Sequence, residues 1–159
     1  MPMANLGETF DAQCMSCRAI RGEISLTNAP RILETPHWIV EHGHPTAIPG
    51  WLVLVLKRHC PAIHDLTAEE LAAFGDVLRR VSQALHAILG AEKEYVVQFA
   101  EAEGHAHVHL HVIARLPNWP DTLRGRRVFS AFGSNAANPL PSAVTTPLAE
   151  RLRDYILMH

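Results

Sequence analysis

The chain has 159 residues, 48% of them hydrophobic, and a formal net charge of −2, which predicts one domain over residues 1–159 with enough apolar material for a core. No stretch approaches the ~20 apolar residues of a membrane helix, and the near-neutral charge leaves only a local basic group at Arg124, Arg126 and Arg127, so a small anionic ligand suits the chain better than a nucleic acid. Residues 1–14, MPMANLGETFDAQC, carry neither the basic region nor the apolar core of a secretory signal, and a cytoplasmic protein is expected.

Cys14 and Cys17 form a C-x-x-C pair, and with three cysteines in a reducing compartment this points to metal or redox chemistry rather than a structural disulfide. His37 to Glu41 is expected as a short strand. Trp51 to Leu56 is a continuous apolar run between Pro49-Gly50 and Lys57-Arg58, the pattern of a strand covered on both faces. Residues 67–89 place Leu71, Phe74, Leu78, Val81, Leu85 and Leu89 at helical spacing, with a capping box at Thr67 and Glu70 and a stop at Gly90. Tyr95 to Ala100 and Ala106 to Ala114 read as a strand hairpin across an acidic connection, Glu101 to Gly104. Residues 116–145 are rich in Pro, Gly, Asn and Ser and read as irregular surface, after which Thr146-Pro147 opens a C-terminal helix carrying Leu148, Leu152, Tyr155 and Ile156. The expected fold class is α+β: an antiparallel sheet of about four or five strands with one long helix packed on it, and no internal repeat.

Eleven residues are histidines, and four of them fall between positions 105 and 111. In His107-Val108-His109-Leu110-His111-Val112-Ile113 every second residue of the first five is histidine, which on a strand sets three imidazoles along one face ~6.5 Å apart and sends Val108, Leu110 and Val112 into the core. Such a row can receive an anion, titrate near neutrality or attack phosphorus. Two alternatives stand beside it: a histidine-rich strand without function, and a metal site in which histidines two apart share one ion.

The alternating run resembles the His-φ-His-φ-His-φ-φ signature of the histidine triad (HIT) superfamily. Cys14-Met15-Ser16-Cys17 with Arg21-Gly22-Glu23 is similar to the opening of zinc-containing bacterial members, Gly50 to His59 to the strand that ends in a basic pair and histidine, and Leu66 to Glu70 to the start of the long helix. The likeness runs from about residue 14 to residue 115. It implies a nucleotide-binding hydrolase or transferase that cleaves at the α-phosphate of a dinucleoside polyphosphate or nucleoside phosphoramidate. His109 would be the attacking residue, forming a nucleotidyl-histidine intermediate, and His111 would donate a hydrogen bond where charge develops. It further implies a structural zinc on Cys14, Cys17, His59 and His107, and a homodimer built on the long helix and a neighbouring strand.

A zinc-stabilised nucleotide-binding or interaction protein with little turnover is the alternative, and repair of adenylated nucleic-acid ends is a less favoured third reading. The chain departs from the family before the triad, where Glu101-Ala102-Glu103-Gly104-His105 replaces a Gly-Gln segment, and at Leu56, where proline is frequent. Gly104 reads either as a source of backbone donors or as a turn glycine. Cys60 reads as an apolar filler, His37, His42, His44, His64 and His86 as surface or boundary residues, and Trp119 with Arg124 to Arg127 as candidates for the leaving-group side.

Overall fold

The computed structural model describes residues 10–159; most of the N-terminal stretch behind the cytoplasmic expectation lies outside them. Five strands, β1 (Leu33–Glu34), β2 (Trp38–His42), β3 (Trp51–Leu56), β4 (Lys93–Val97) and β5 (His109–Arg115), form an antiparallel sheet in the order β1-β2-β3-β5-β4. Residue parity decides what each face carries. Leu52, Leu54 and Leu56 of β3 and Leu110, Val112 and Ala114 of β5 pack under helix α2 (Ala68–Leu89) and helix α3 (Ser142–Met158), against Val77, Val81, Leu85, Leu148 and Leu152. Each such leucine contributes ~1.5–3 kcal/mol by leaving water. Trp51, Val53, Val55, His109, His111 and Ile113 take the opposite parity and are neighbours on the other face, where the register pairs Val53 with His111 and Val55 with His109.

Helix α2 begins and ends as its sequence dictates. The Thr67 hydroxyl accepts the Glu70 amide while the Glu70 carboxylate accepts the Thr67 amide, and Gly90 closes the helix at φ 71°. A short helix, α1 (Met15–Ile20), follows Cys14. Among the described residues, no helix is long and apolar enough to cross a membrane.

Three expectations are corrected. The β4 and β5 strands do pair, but residues 98–108 form a long connection instead of a tight hairpin: Ala100 sits at φ 51°, and Val108 exchanges its backbone bonds with Leu56 and Cys60. Helix α3 starts at Ser142, one turn before Thr146, with Pro147 inside it. The carbonyl that Pro147 cannot satisfy belongs to Ala143, which is exposed and can bond water. The segment after Leu116 is not wholly surface either. It makes 3₁₀ turns at Asp121–Leu123, Gly125–Ala131 and Gly133–Asn135, and buries Val128 and Ala131 against Ile48, Trp51 and Ile113.

Candidate functional site

Two groups of side chains meet at the start of β5, and the alternating histidines are divided between them. In the first, Cys14 caps α1 and its Sγ accepts the Cys17 amide at 3.4 Å. Cys14 Sγ lies 3.4 Å from His107 Nδ1, and Cys17 Sγ lies 3.3 Å from His59 Nδ1 and 3.6 Å from His107 Nδ1. All four ligand atoms fall within 4.8 Å of one another, so the cluster could hold a metal ion. A tetrahedral ion at ~2.3 Å from sulfur and ~2.0 Å from nitrogen sets S to N separations of roughly 3.5 Å, which the cluster matches. His107 is prepared for this: its Nε2–H donates to the Leu56 carbonyl at 2.6 Å, which leaves the Nδ1 lone pair pointing at the sulfurs. Burial pushes the Cys17 thiol up to about 11, so thiolates here require a cation among them. Three imidazoles on one open face, as β alternation predicts, is therefore corrected: His107 precedes β5 and faces the cysteines.

The second group lines a cavity of about 710 Å³ on the sheet face opposite the long helix. Its floor is Ile39, Val53 and Val55, with His109 and His111 beside them and Phe99, Phe129 and Phe132 on the walls. His109 donates Nδ1–H to the His107 carbonyl at 2.7 Å, which leaves Nε2 as the ring's basic position. The His109 and His111 rings lie 5.5 Å apart, and Trp51 Nε1 is 2.9 Å from His111 Nδ1. Burial holds His109 below the usual imidazole range and, with the neighbouring His109 adding to it, pushes His111 down to about 4. Both are neutral near pH 7. His105 also lines the cavity, its ring 6.4 Å from that of His109.

The fold that brings these imidazoles and the four-residue cluster together recurs in known proteins. The HIT domain matches residues 27–118. This chain belongs to the HIT-domain family. Solved HIT structures share its fold: a HIT-like protein involved in cell-cycle regulation from Bartonella henselae (TM-score 0.67, 19% identity, covering 92% of this chain and 98% of that one) and a hypothetical histidine triad nucleotide-binding protein from Sulfolobus tokodaii (TM-score 0.69, 17% identity, covering 91% and 93%). A zinc-bound histidine triad family protein from Mycobacterium smegmatis is also similar (TM-score 0.63, 18% identity, covering 91% and 94%). No curated protein sequence matches the chain. HIT membership makes this a protein of the nucleotide-binding hydrolase and transferase kind.

Against that HIT frame, several residues sit elsewhere than their sequence suggests. Trp119 packs edge-on to Tyr95, Arg124 is tied to the Trp119 carbonyl, and Arg126 and Arg127 are exposed, so none of these candidates lines the cavity; Phe129 and Phe132 of the same segment do. His42 is buried, not a boundary residue, with Nε2 accepting the Gly50 amide and Nδ1–H donating to the Gly43 carbonyl. Gly104 takes φ 75° and its carbonyl accepts the Met15 amide, a turn role that ties the connection to α1. Glu101 lines the cavity while remaining exposed. Trp51 was legible as a core strand residue only, because its contact with His111 depends on a cross-strand register that one strand's sequence does not contain.

Proposed function

We propose that this HIT protein cleaves at the α-phosphate of a mononucleotide conjugate, a dinucleoside polyphosphate or a nucleoside phosphoramidate, with His109 as the nucleophile. The observation that carries the reading is the 2.7 Å bond from His109 Nδ1–H to its own strand's backbone, which fixes the proton on Nδ1 and leaves a neutral Nε2 lone pair in a nucleotide-sized cavity. Nε2 attacks phosphorus, an N–P bond forms, and the bond to the leaving group breaks, the leaving group keeping the electron pair and taking a proton from solvent. Water then attacks the same phosphorus and gives up a proton to solvent, the N–P bond breaks with its electron pair returning to Nε2, and nucleoside monophosphate departs from regenerated His109. His111 donates a hydrogen bond to the phosphoryl oxygen on which charge develops.

Cys14, Cys17, His59 and His107 would hold a zinc ion, which when bound supplies a closed structural centre with no position for substrate. These side chains join α1, the segment after β3 and the start of β5, and so place His109 two residues from a fixed point. The β4 edge strand exposes Val96, at 43%, and α2 exposes Leu71, at 47%, and we place a homodimer contact there. Sedimentation at micromolar concentration checks it, a monomer mass being the contrary outcome.

The chemical test is a rapid quench of wild-type protein with labelled adenosine polyphosphate or phosphoramidate. An acid-labile, base-stable phosphoramidate adduct and release of AMP are expected. His109→Ala erases the adduct and lowers turnover at least ~100-fold while binding persists. Near-normal turnover in that variant, or binding without AMP release in the wild type, overturns the reading.

A further inference from the structure

We propose that Trp51 is a positioning residue that holds His111 neutral with its proton on Nε2, so that His111 presents a donor and not a lone pair to the cavity. An indole nitrogen only donates, so the 2.9 Å contact between Trp51 Nε1 and His111 Nδ1 has one reading: N–H to lone pair. With Nδ1 accepting, the neutral ring carries its hydrogen on Nε2. Protonating His111 would place a second N–H against the indole N–H and break the bond, so the contact also opposes the imidazolium form.

The indole is held in place to do this. Trp51 is completely buried, stacks on Phe132 with ring centroids 4.5 Å apart and a 19° interplanar angle, and meets the edge of Phe129 at 5.2 Å. On another side lies Gly43, where an added Cβ would stand 2.8 Å from Trp51 Cδ1, so the backbone approaches the indole more closely than any larger residue permits. The Trp51 carbonyl accepts the Gly43 amide at 2.7 Å. Trp51 and His111 are diagonal neighbours on adjacent strands of one face, which brings the indole edge to the imidazole without bending either strand. Of the ionisable groups that share the cavity with His111, His109 is the near one at 5.5 Å between rings; His105, Glu101, His44, His42, Glu41 and Arg31 line the rest. None of these supplies His111 with a hydrogen bond, so the indole is its only fixed partner among the described residues.

The placement of the proton stands independently of catalysis; its bearing on turnover rests on the reading of His111 as a donor to phosphate. The test is heteronuclear magnetic resonance of ¹⁵N-labelled protein without nucleotide. A scalar coupling between Trp51 Nε1 and His111 Nδ1 across the hydrogen bond is expected, with a hydrogen on His111 Nε2. Trp51→Phe keeps an aromatic ring for Phe132 but removes the donor, and should raise the midpoint of the His111 titration by about one pH unit, the tenfold effect of one hydrogen bond. If that variant does not fold, benzothienylalanine at position 51 preserves the indole shape and replaces N–H with sulfur, with the same expected rise. A hydrogen on His111 Nδ1 in the wild type, or an unchanged His111 titration in the variant, overturns the proposal whatever His109 does. With wild-type substrate turnover as reference, kcat should fall several-fold in Trp51→Phe with KM within about twofold. An unchanged kcat beside a moved titration would refute the catalytic bearing and leave the His109 nucleophile standing.

Discussion

At the scale of single residues, burial sets the chemistry of this site by keeping imidazoles uncharged. His111 sits at about 4 in the fold against an ordinary 6.5. The folded form therefore refuses a proton that the unfolded chain accepts. The stability this represents is complete above pH 6.5 and is lost as pH falls through 4, amounting to about 3 kcal/mol between pH 7 and pH 4. His42 is shifted in the same direction by burial, and adds to the loss. Urea melts at pH 7 and pH 4.5 should show a clear drop in stability for the wild type and a smaller one for His111→Asn; equal drops in the two proteins would show that His111 does not contribute to the loss. The same neutrality supports the role proposed for His109, a nucleophile near pH 7 that needs no separate base.

At the scale of elements, the N-terminus of α2 is tied to the segment that carries His59 through one carboxylate. Glu70 accepts the Thr67 amide at 2.9 Å and both Arg58 nitrogens, Nε and one Nη, at 2.8 Å, while its backbone carbonyl accepts the Trp38 indole. Arg58 holds the Glu70 carboxyl below the usual carboxylate range. Since Arg58 adjoins His59, this ion pair links the cap of the long helix to the cysteine and histidine cluster. Thr67→Ala should cost about 1 kcal/mol, the value of an N-cap. Glu70→Ala should cost about 2–4 kcal/mol, because it removes the cap partner and leaves a guanidinium half-buried without its carboxylate. Equal losses in the two variants, measured by chemical denaturation, would show that the ion pair adds nothing to the cap.

At the scale of the whole molecule, the four-ligand cluster joins three segments that are distant in sequence, at residues 14–17, 59 and 107. With zinc bound there, protein purified without added metal carries about one equivalent, and chelation lowers Tm by several degrees at least. Turnover by the fraction still folded should change far less than Tm does, since the cavity histidines are separate from the ligands. Zinc below a tenth of an equivalent with an unchanged Tm after chelation would refute it. Cys14→Ser should reproduce the chelated melting curve.

Local pattern and local chemistry were decisive wherever a residue's role depends on its near neighbours in sequence. Apolar alternation set which face of β5 enters the core, Thr67, Glu70 and Gly90 bounded the long helix, and the resemblance to the HIT family, more than spacing, singled out the cysteine and histidine cluster. Tertiary structure decided what depends on distant segments. His107 turns to the cysteines because the Leu56 carbonyl takes its Nε2–H, His42 is buried because the Gly50 amide needs an acceptor, and Phe129 and Phe132 close the cavity because Trp51 offers them an apolar face. Each of these rests on a hydrogen bond or ring contact between segments whose approach no single stretch of sequence encodes, and it is through such contacts that a row of equivalent histidines acquires unequal tasks.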